Sequence, residues 1–265
     1  MRKNKIKQPN PIRYRTAFCT KTYNRKRMSR NPTLIAPFTI PAENNLKGFS
    51  ARSFVDIKNN FFRLKRALDV TISALFILFV LSWLIPIMAV LISMDSKGPI
   101  FFRQRRIGRG GKSFYCLKFR TMFPNDECNS RQAEKDDERI TRVGRTLRKI
   151  NIDEFPQFIN VLLGEMSLVG PRPHMYADCN RFSEVVSGYK FRNMVKPGIT
   201  GLAQVKGYHG PAITYESIFR RFQWDAFYVR NASLWLDLRI IKNTLLQRLW
   251  PTLVRSTKYQ ISNNK

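Results

Sequence analysis

A chain of 265 residues holds one domain of ordinary size plus tails. Its 47 Lys and Arg against 18 Asp and Glu leave a formal net charge of +29, a field that attracts nucleotides, phospholipid headgroups, lipid phosphates and nucleic acid alike. Cys19, Cys116, Cys128 and Cys179 show no CxxC or metal-like spacing, which argues against a disulfide framework or cysteine metal centre; the first long apolar run starts only after Arg66, so no secretory signal is visible.

Residues 1 to about 60 are basic and broken by prolines, as in Lys3-Asn-Lys-Ile-Lys-Gln-Pro-Asn-Pro11 and Arg25-Lys-Arg27. They read as a poorly ordered tail whose cations suit an anionic leaflet, at about 1 kcal/mol for each one held near the surface. The membrane-grade segment follows, from Leu68 to Met94, longer than the roughly 20 residues that span a bilayer as a helix. Pro86 removes an amide and frees the carbonyl of Ser82, which favours a kink. Both flanks are basic, with Arg63, Lys65 and Arg66 before and Lys97, Arg103, Arg105, Arg106 and Arg109 after, and cations tend to stay on the cytoplasmic side. A bent helix over 61–96 that dips in and returns meets both demands; a kinked spanning helix is the alternative.

Pro99-Ile-Phe-Phe102 and Ser113 to Phe119 read as short strands around the turn Gly108-Arg-Gly-Gly111. Lys118 and Arg120 flank Phe119 and, on a strand, point to one face. Residues 124–139 are polar and acidic and read as a surface loop, after which Ile140 to Ile150 forms a basic helix carrying Arg148 towards Asp153.

The stretch from Arg148 to Pro173 sets the adjacent carboxylates Asp153 and Glu154 among fixed cations. A carboxylate that attacks a phosphoanhydride forms an acyl phosphate, which retains the transfer potential; a second carboxylate beside it suits a hard divalent cation. Guanidinium groups match phosphate oxygens with a planar fork. A structural reading competes: Asn151-Ile-Asp-Glu154 has the form of a capping box, with Glu154 reaching back to Asn151. A helix from Asp153 to Leu163 then presents Phe155, Phe158, Ile159, Leu162 and Leu163 as a core stripe. Prolines on both sides of Arg172 stiffen the chain around that guanidinium, lowering the entropy lost on gripping phosphate. Further on, Pro197 to Gly201 is turn-rich, and Trp224, Tyr228 and Trp235 suit either a core or the lipid headgroup level.

Five blocks in order carry a resemblance: Phe101-Phe-Arg-Gln-Arg-Arg-Ile-Gly108, Lys118-Phe-Arg-Thr-Met122, Ile152-Asp-Glu-Phe-Pro-Gln157, Met166-Ser-Leu-Val-Gly-Pro-Arg-Pro173, and Val195 to Gly207. Together, from about Phe62 to about Trp250, they resemble the catalytic domain of the bacterial sugar transferases, the monotopic phosphoglycosyl transferases. The resemblance implies an α/β fold, mostly helical with a small hairpin or sheet, on a re-entrant Pro-kinked helix with interfacial amphipathic helices. It implies a catalytic domain over 97–251 at the cytoplasmic face of the bacterial inner membrane, with a tail over 252–265. It also implies transfer of sugar 1-phosphate from a UDP-sugar to undecaprenyl phosphate, with release of UMP, at the first membrane step of exopolysaccharide, capsule or O-antigen synthesis. Asp153 is then the nucleophile; Glu154, with Asp153, holds Mg2+; and Lys118, Arg120, Arg148 and Arg172 bind the substrate phosphates. The family helix breaks at a Ser-Pro pair, whereas this chain has Ile85 before Pro86, leaving Ser82 one turn earlier as the substitute hydroxyl. Gly207-Tyr-His-Gly-Pro211 looks nearer the branch that uses plain hexoses. Anionic lipids are expected partners and nucleic acid is not, and a homodimer stays open. The competing class is a membrane-tethered basic nucleic-acid-binding or scaffold protein without catalysis, which accounts for the charge but not for the acid pair or Pro-Arg-Pro.

Overall fold

The computed structural model describes residues 59–125, 137–208, 210 and 214–249. Of the expected tail over 1–60 only Asn59 and Asn60 are described, and they are helical; its first 58 residues, the expected tail over 252–265, most of the acidic loop, and His209 and Pro211 of the glycine-flanked segment lie outside the described residues.

Among the described residues one helix of 36 residues, Asn60–Asp95, is long and apolar enough to cross a membrane. It comprises α1 (Asn59–Phe76), a π-helical turn (Ile77–Leu81) and α2 (Ser82–Asp95). Its buried positions, Lys65, Asp69, Ser73, Leu81, Leu84, Met88 and Ile92, lie three or four residues apart once the half-buried Ile77 is set between Ser73 and Leu81, so one stripe of the helix faces the rest of the molecule. The remaining surface is apolar and exposed, including Leu64, Leu75, Phe79, Trp83, Val90 and Met94.

Pro86 sits inside α2 without ending it. The irregularity falls one turn earlier, where the Ser82 amide bonds to the Ile77 carbonyl in π fashion. There the Ser82 hydroxyl donates to the Leu78 carbonyl at 2.6 Å, and the Trp83 indole donates to the Phe79 carbonyl at 2.7 Å. Ser82 therefore serves the π turn rather than the carbonyl that Pro86 frees.

The helix is fastened to one folded body at both ends. Near its start Lys65 pairs with Asp237 at 2.6 Å, and Asp69 accepts from the Leu168 amide at 3.1 Å. At its end Asp95 accepts from the Val143 amide at 2.9 Å. In between, Leu81, Leu84, Met88 and Ile92 pack with Phe119 and Leu147. The polar ties at the two ends fix the position at which this apolar stripe docks.

β1 (Phe101–Ile107) and β2 (Ser113–Phe119) form an antiparallel hairpin, longer at β1 than the sequence suggested, with Lys118 opposite Phe102. A second sheet was not anticipated. β3 (Ser167–Val169) pairs in parallel with β4 (Gly198–Thr200), so the turn-rich Pro197–Gly201 segment is a strand. Helices α3 (Arg142–Ile150), α4 (Gln157–Leu163), α5 (Tyr176–Val185), α6 (Leu202–Val205), α7 (Tyr215–Asn231) and α8 (Leu234–Leu249) complete the architecture. The main core gathers Val161, Met166, Val169, Val229 and Ile240 around the parallel pair. Tyr228 belongs to that core, its hydroxyl donating to the Val169 carbonyl and to Asp237, whereas Trp235 is 69 % exposed.

Candidate active site

The acid pair lies in a 3-10 turn, Ile152–Glu154, between α3 and α4. Thr141 caps α3 by accepting from the Gly144 amide. Gly144 lets α3 lie against the Thr121 backbone, since a Cβ there would sit 2.1 Å from the Thr121 carbonyl oxygen. That contact brings Arg148, in the last turn of α3, beside Thr121, to whose hydroxyl its Nε donates at 2.7 Å. Asn151 then adopts a left-handed conformation (φ 59°) and closes α3 at its C-terminus. The expected capping box does not form: Asn151 makes no side-chain cap, and the Glu154 side chain turns away to two cations.

Lys118 Nζ reaches Glu154 Oε1 at 2.7 Å, and Arg172 grips both carboxylate oxygens, at 2.6 Å and 3.3 Å. Burial pushes the Glu154 pKa up, but Arg172 and Lys118 outweigh it and hold the carboxyl well below its usual range. Asp153 is treated in the opposite way. It is buried, its side chain forms no hydrogen bond or ion pair with any described residue, and burial raises its pKa despite Lys118, with Glu154 adding to the rise. Neighbouring carboxylates with pKa values driven apart are equipped for different roles. Glu154 is locked as an anion, while Asp153 stays unencumbered and more basic.

Arg172 stands on a loop pinned through its carbonyls, because its prolines offer no amide. The Pro171 carbonyl accepts from the Gly198 amide (3.0 Å), Arg172 from Arg192 Nη2 (2.7 Å), Pro173 from Arg106 Nη1 (3.1 Å) and His174 from the Ile107 amide (3.0 Å). Arg192 is itself held by Asp225, at 2.9 Å and 2.8 Å, in a fully buried pair. A shallow, open recess lies beside Arg172, lined by Gly108, Pro171 and Arg192 among others. His174 pairs with the Tyr189 hydroxyl at 2.9 Å, and burial among arginines keeps its pKa well below the usual value, so it is a neutral core group.

Of the residues expected at the site, Asp153, Glu154, Lys118, Arg148 and Arg172 converge. Arg120 does not join them. Strand β2 ends at Phe119, so the alternation that would align Arg120 with Lys118 stops one residue early. Its guanidinium instead donates to the carbonyls of Lys97 (2.9 Å) and Ser96 (2.6 Å), closing the end of α2. Leu162 and Leu163 are exposed rather than part of a core stripe, and the buried face of α4 is Gln157, Asn160 and Val161; of these, sequence reasoning passed over Asn160. Its amide accepts from the Leu117 amide at 2.9 Å and donates to the Tyr115 carbonyl at 2.8 Å, which docks α4 on β2 and sets Lys118 against Glu154.

For Mg2+, Asp153 and Glu154 supply adjacent hard oxygens, and no group of three or more His, Cys, Asp or Glu is placed to hold a metal among the described residues. Mg2+ commonly takes one or two carboxylates plus waters and substrate phosphate, a number this pair would supply, with the Glu154 oxygens here engaged by Lys118 and Arg172.

Residues 60–250 match the family model described as bacterial sugar transferase. The chain is 45 % identical over 194 residues to the UDP-glucose:undecaprenyl-phosphate glucose-1-phosphate transferase of Xanthomonas campestris pv. campestris, covering 72 % of this chain and 40 % of that protein. It is 42 % identical over 183 residues to the UDP-N-acetylgalactosamine-undecaprenyl-phosphate N-acetylgalactosaminephosphotransferase of Aeromonas hydrophila, covering 69 % and 43 %. With the exopolysaccharide production protein PSS of Rhizobium leguminosarum bv. phaseoli it shares 43 % identity over 191 residues, covering 70 % of this chain and 95 % of the relative. The alignments thus span about two fifths of the first two relatives and nearly all of the third.

Proposed function

The chain belongs to the bacterial sugar transferase family, and from that premise we propose that it transfers a sugar 1-phosphate from a UDP-sugar to undecaprenyl phosphate and releases UMP. A carboxylate oxygen of Asp153 attacks the sugar-bearing phosphorus of the donor; the bond from that phosphorus to the bridging oxygen breaks, and the oxygen leaves with UMP. An oxygen of undecaprenyl phosphate then attacks the same phosphorus, breaking the bond to Asp153 and restoring the carboxylate. The observation that carries this reading is the contrast between Glu154, clamped by Lys118 and Arg172, and Asp153, buried and unpaired. An arriving diphosphate offers these cations better-matched oxygens, and with Arg148 they offset charge on the transferring group. Mg2+, when held by Asp153 and Glu154, supplies further charge neutralisation at the phosphate oxygens.

We assign the long helix a re-entrant placement at the cytoplasmic face of the inner membrane. Its two ends are tied to one body through Asp237 and the Val143 amide, which favours both on the same side of the bilayer. That placement sets Asp153 near the headgroups, where a lipid phosphate waits.

The test is a panel of UDP-sugars, including UDP-glucose and UDP-N-acetylgalactosamine, incubated with enzyme and undecaprenyl phosphate in vesicles, with the released nucleotide identified. UMP is expected, with a hexose donor preferred. UDP would instead mark an enzyme that moves the sugar alone; no nucleotide, with salt-dependent DNA binding, would mark a non-catalytic basic protein.

A further inference from the structure

At the end of α4 remote from the acid pair, Gly164 closes the helix in a left-handed conformation (φ 85°). A Cβ built there would stand 3.4 Å from Arg66 Nη2 and 3.5 Å from Lys196 Nζ, so the absent side chain leaves a notch between two cations. Arg66 uses Nη1 and Nη2 to cap the helix, donating to the carbonyls of Val161 (2.6 Å) and Leu162 (2.9 Å), which offsets the negative end of the helix dipole. Lys196 has no such outlet. Its side chain forms no ion pair or hydrogen bond with any described residue, and the nearby Asp69 already accepts from the Leu168 amide at 3.1 Å. Burial first, then the charge of Arg66, holds its ammonium below the usual pKa, with Asp69 opposing the fall and Arg109 adding to it. Beside the notch, Leu163 is 68 % and Leu162 38 % exposed.

We propose that Arg66 and Lys196, across Gly164, hold the phosphate of an anionic phospholipid whose acyl chains lie along Leu162 and Leu163. Two cations astride a side-chain-free notch complement a phosphodiester, and apolar side chains at the rim complement the hydrocarbon that a free phosphate lacks. The reacting phosphate is a poor candidate for the same notch: α4, with seven residues, is about 10 Å long and separates Gly164 from the turn that carries Asp153. The site is thus separate from the chemistry, and it stands whether or not Asp153 is the nucleophile.

The experiment reconstitutes the full chain in nanodiscs of phosphatidylcholine with phosphatidylglycerol, and counts retained lipids by native mass spectrometry. Lys196→Glu is compared with Lys190→Glu, which changes the same charge at an exposed position, and with Lys196→Arg. Wild type and Lys190→Glu are expected to retain phosphatidylglycerol selectively, Lys196→Glu to lose about fivefold or more of that retention, and Lys196→Arg to keep it. Melting temperature identifies any variant that fails to fold. Equal losses in Lys196→Glu and Lys190→Glu, displacement of the lipid by equimolar inorganic phosphate, or a Lys196-dependent preference for farnesyl phosphate over phosphatidylglycerol would each overturn the proposal.

Discussion

Two carboxylate and arginine clusters lie a short way apart and are built on opposite plans. Around Glu154 two cations share one carboxylate, with side-chain exposures of 12 % for the acid and 19 % and 32 % for Lys118 and Arg172. Arg192 and Asp225 form a one-to-one pair with each side chain only 2 % exposed. The first cluster carries surplus positive charge and can be reached by a ligand, so its bonds can be exchanged for phosphate. The second is a one-to-one pair that is sealed, and its Arg192 Nη2 also donates to the Arg172 carbonyl. Charge excess together with access separates the proposed working cluster from the sealed pair.

The comparison breaks hardest at Asp153. Asp153→Asn should lower turnover by at least about 10^4-fold, the scale for losing a nucleophile, and leave no sugar-phosphate adduct in intact-protein mass spectra. A surviving adduct in that variant refutes the assignment. Glu154→Gln should cost roughly 10^2- to 10^3-fold in kcat and weaken the magnesium dependence, with a smaller effect on melting than any change at the sealed pair. An unchanged magnesium titration would count against its role as a ligand.

At the sealed pair the effects invert. Asp225→Ala leaves the Arg192 charge buried alone and should destabilise the fold by about 3–5 kcal/mol, read from chemical unfolding. The double variant Arg192→Met with Asp225→Leu should recover most of that stability, because apolar replacements remove the buried charges together. It should still bind donor more weakly, since the Arg172 carbonyl loses its anchor. Full recovery of KM along with stability would show that the pair does not position Arg172.

Much of the working cluster was legible from sequence, because Asp153, Glu154, Lys118, Arg148 and Arg172 sit in short motifs whose chemistry needs those residue types. What escaped is long-range. Arg120 reads like Lys118 locally, and only the end of β2 at Phe119 and the nearby carbonyls of Lys97 and Ser96 divert it. The parallel pairing of β3 with β4 joins segments thirty residues apart and carries no turn signature. Asn160 could have been suspected as a polar residue among the apolar ones of α4, but its partners on β2 are visible only in three dimensions. Asn151 deceived for a local reason: the sequence of a capping box is there, yet α3 ends on that same residue, which spends its backbone on a left-handed turn.

The finest contrast within the cluster is electrostatic. Asp153 must be ionised to attack, and its pKa lies above the ordinary carboxylate value, so kcat/KM should fall as pH drops through that raised value. Lys118 lowers this pKa and Glu154 raises it. Replacing Glu154 by Gln removes a nearby negative charge, favours the ionised form of Asp153, and should move the acid limb to lower pH. Lys118→Met removes a positive charge and should move the same limb to higher pH. Both profiles are measured with saturating magnesium and donor varied at low concentration. Opposite displacements tie the limb to Asp153; displacement in one direction by both variants would assign the limb to another group.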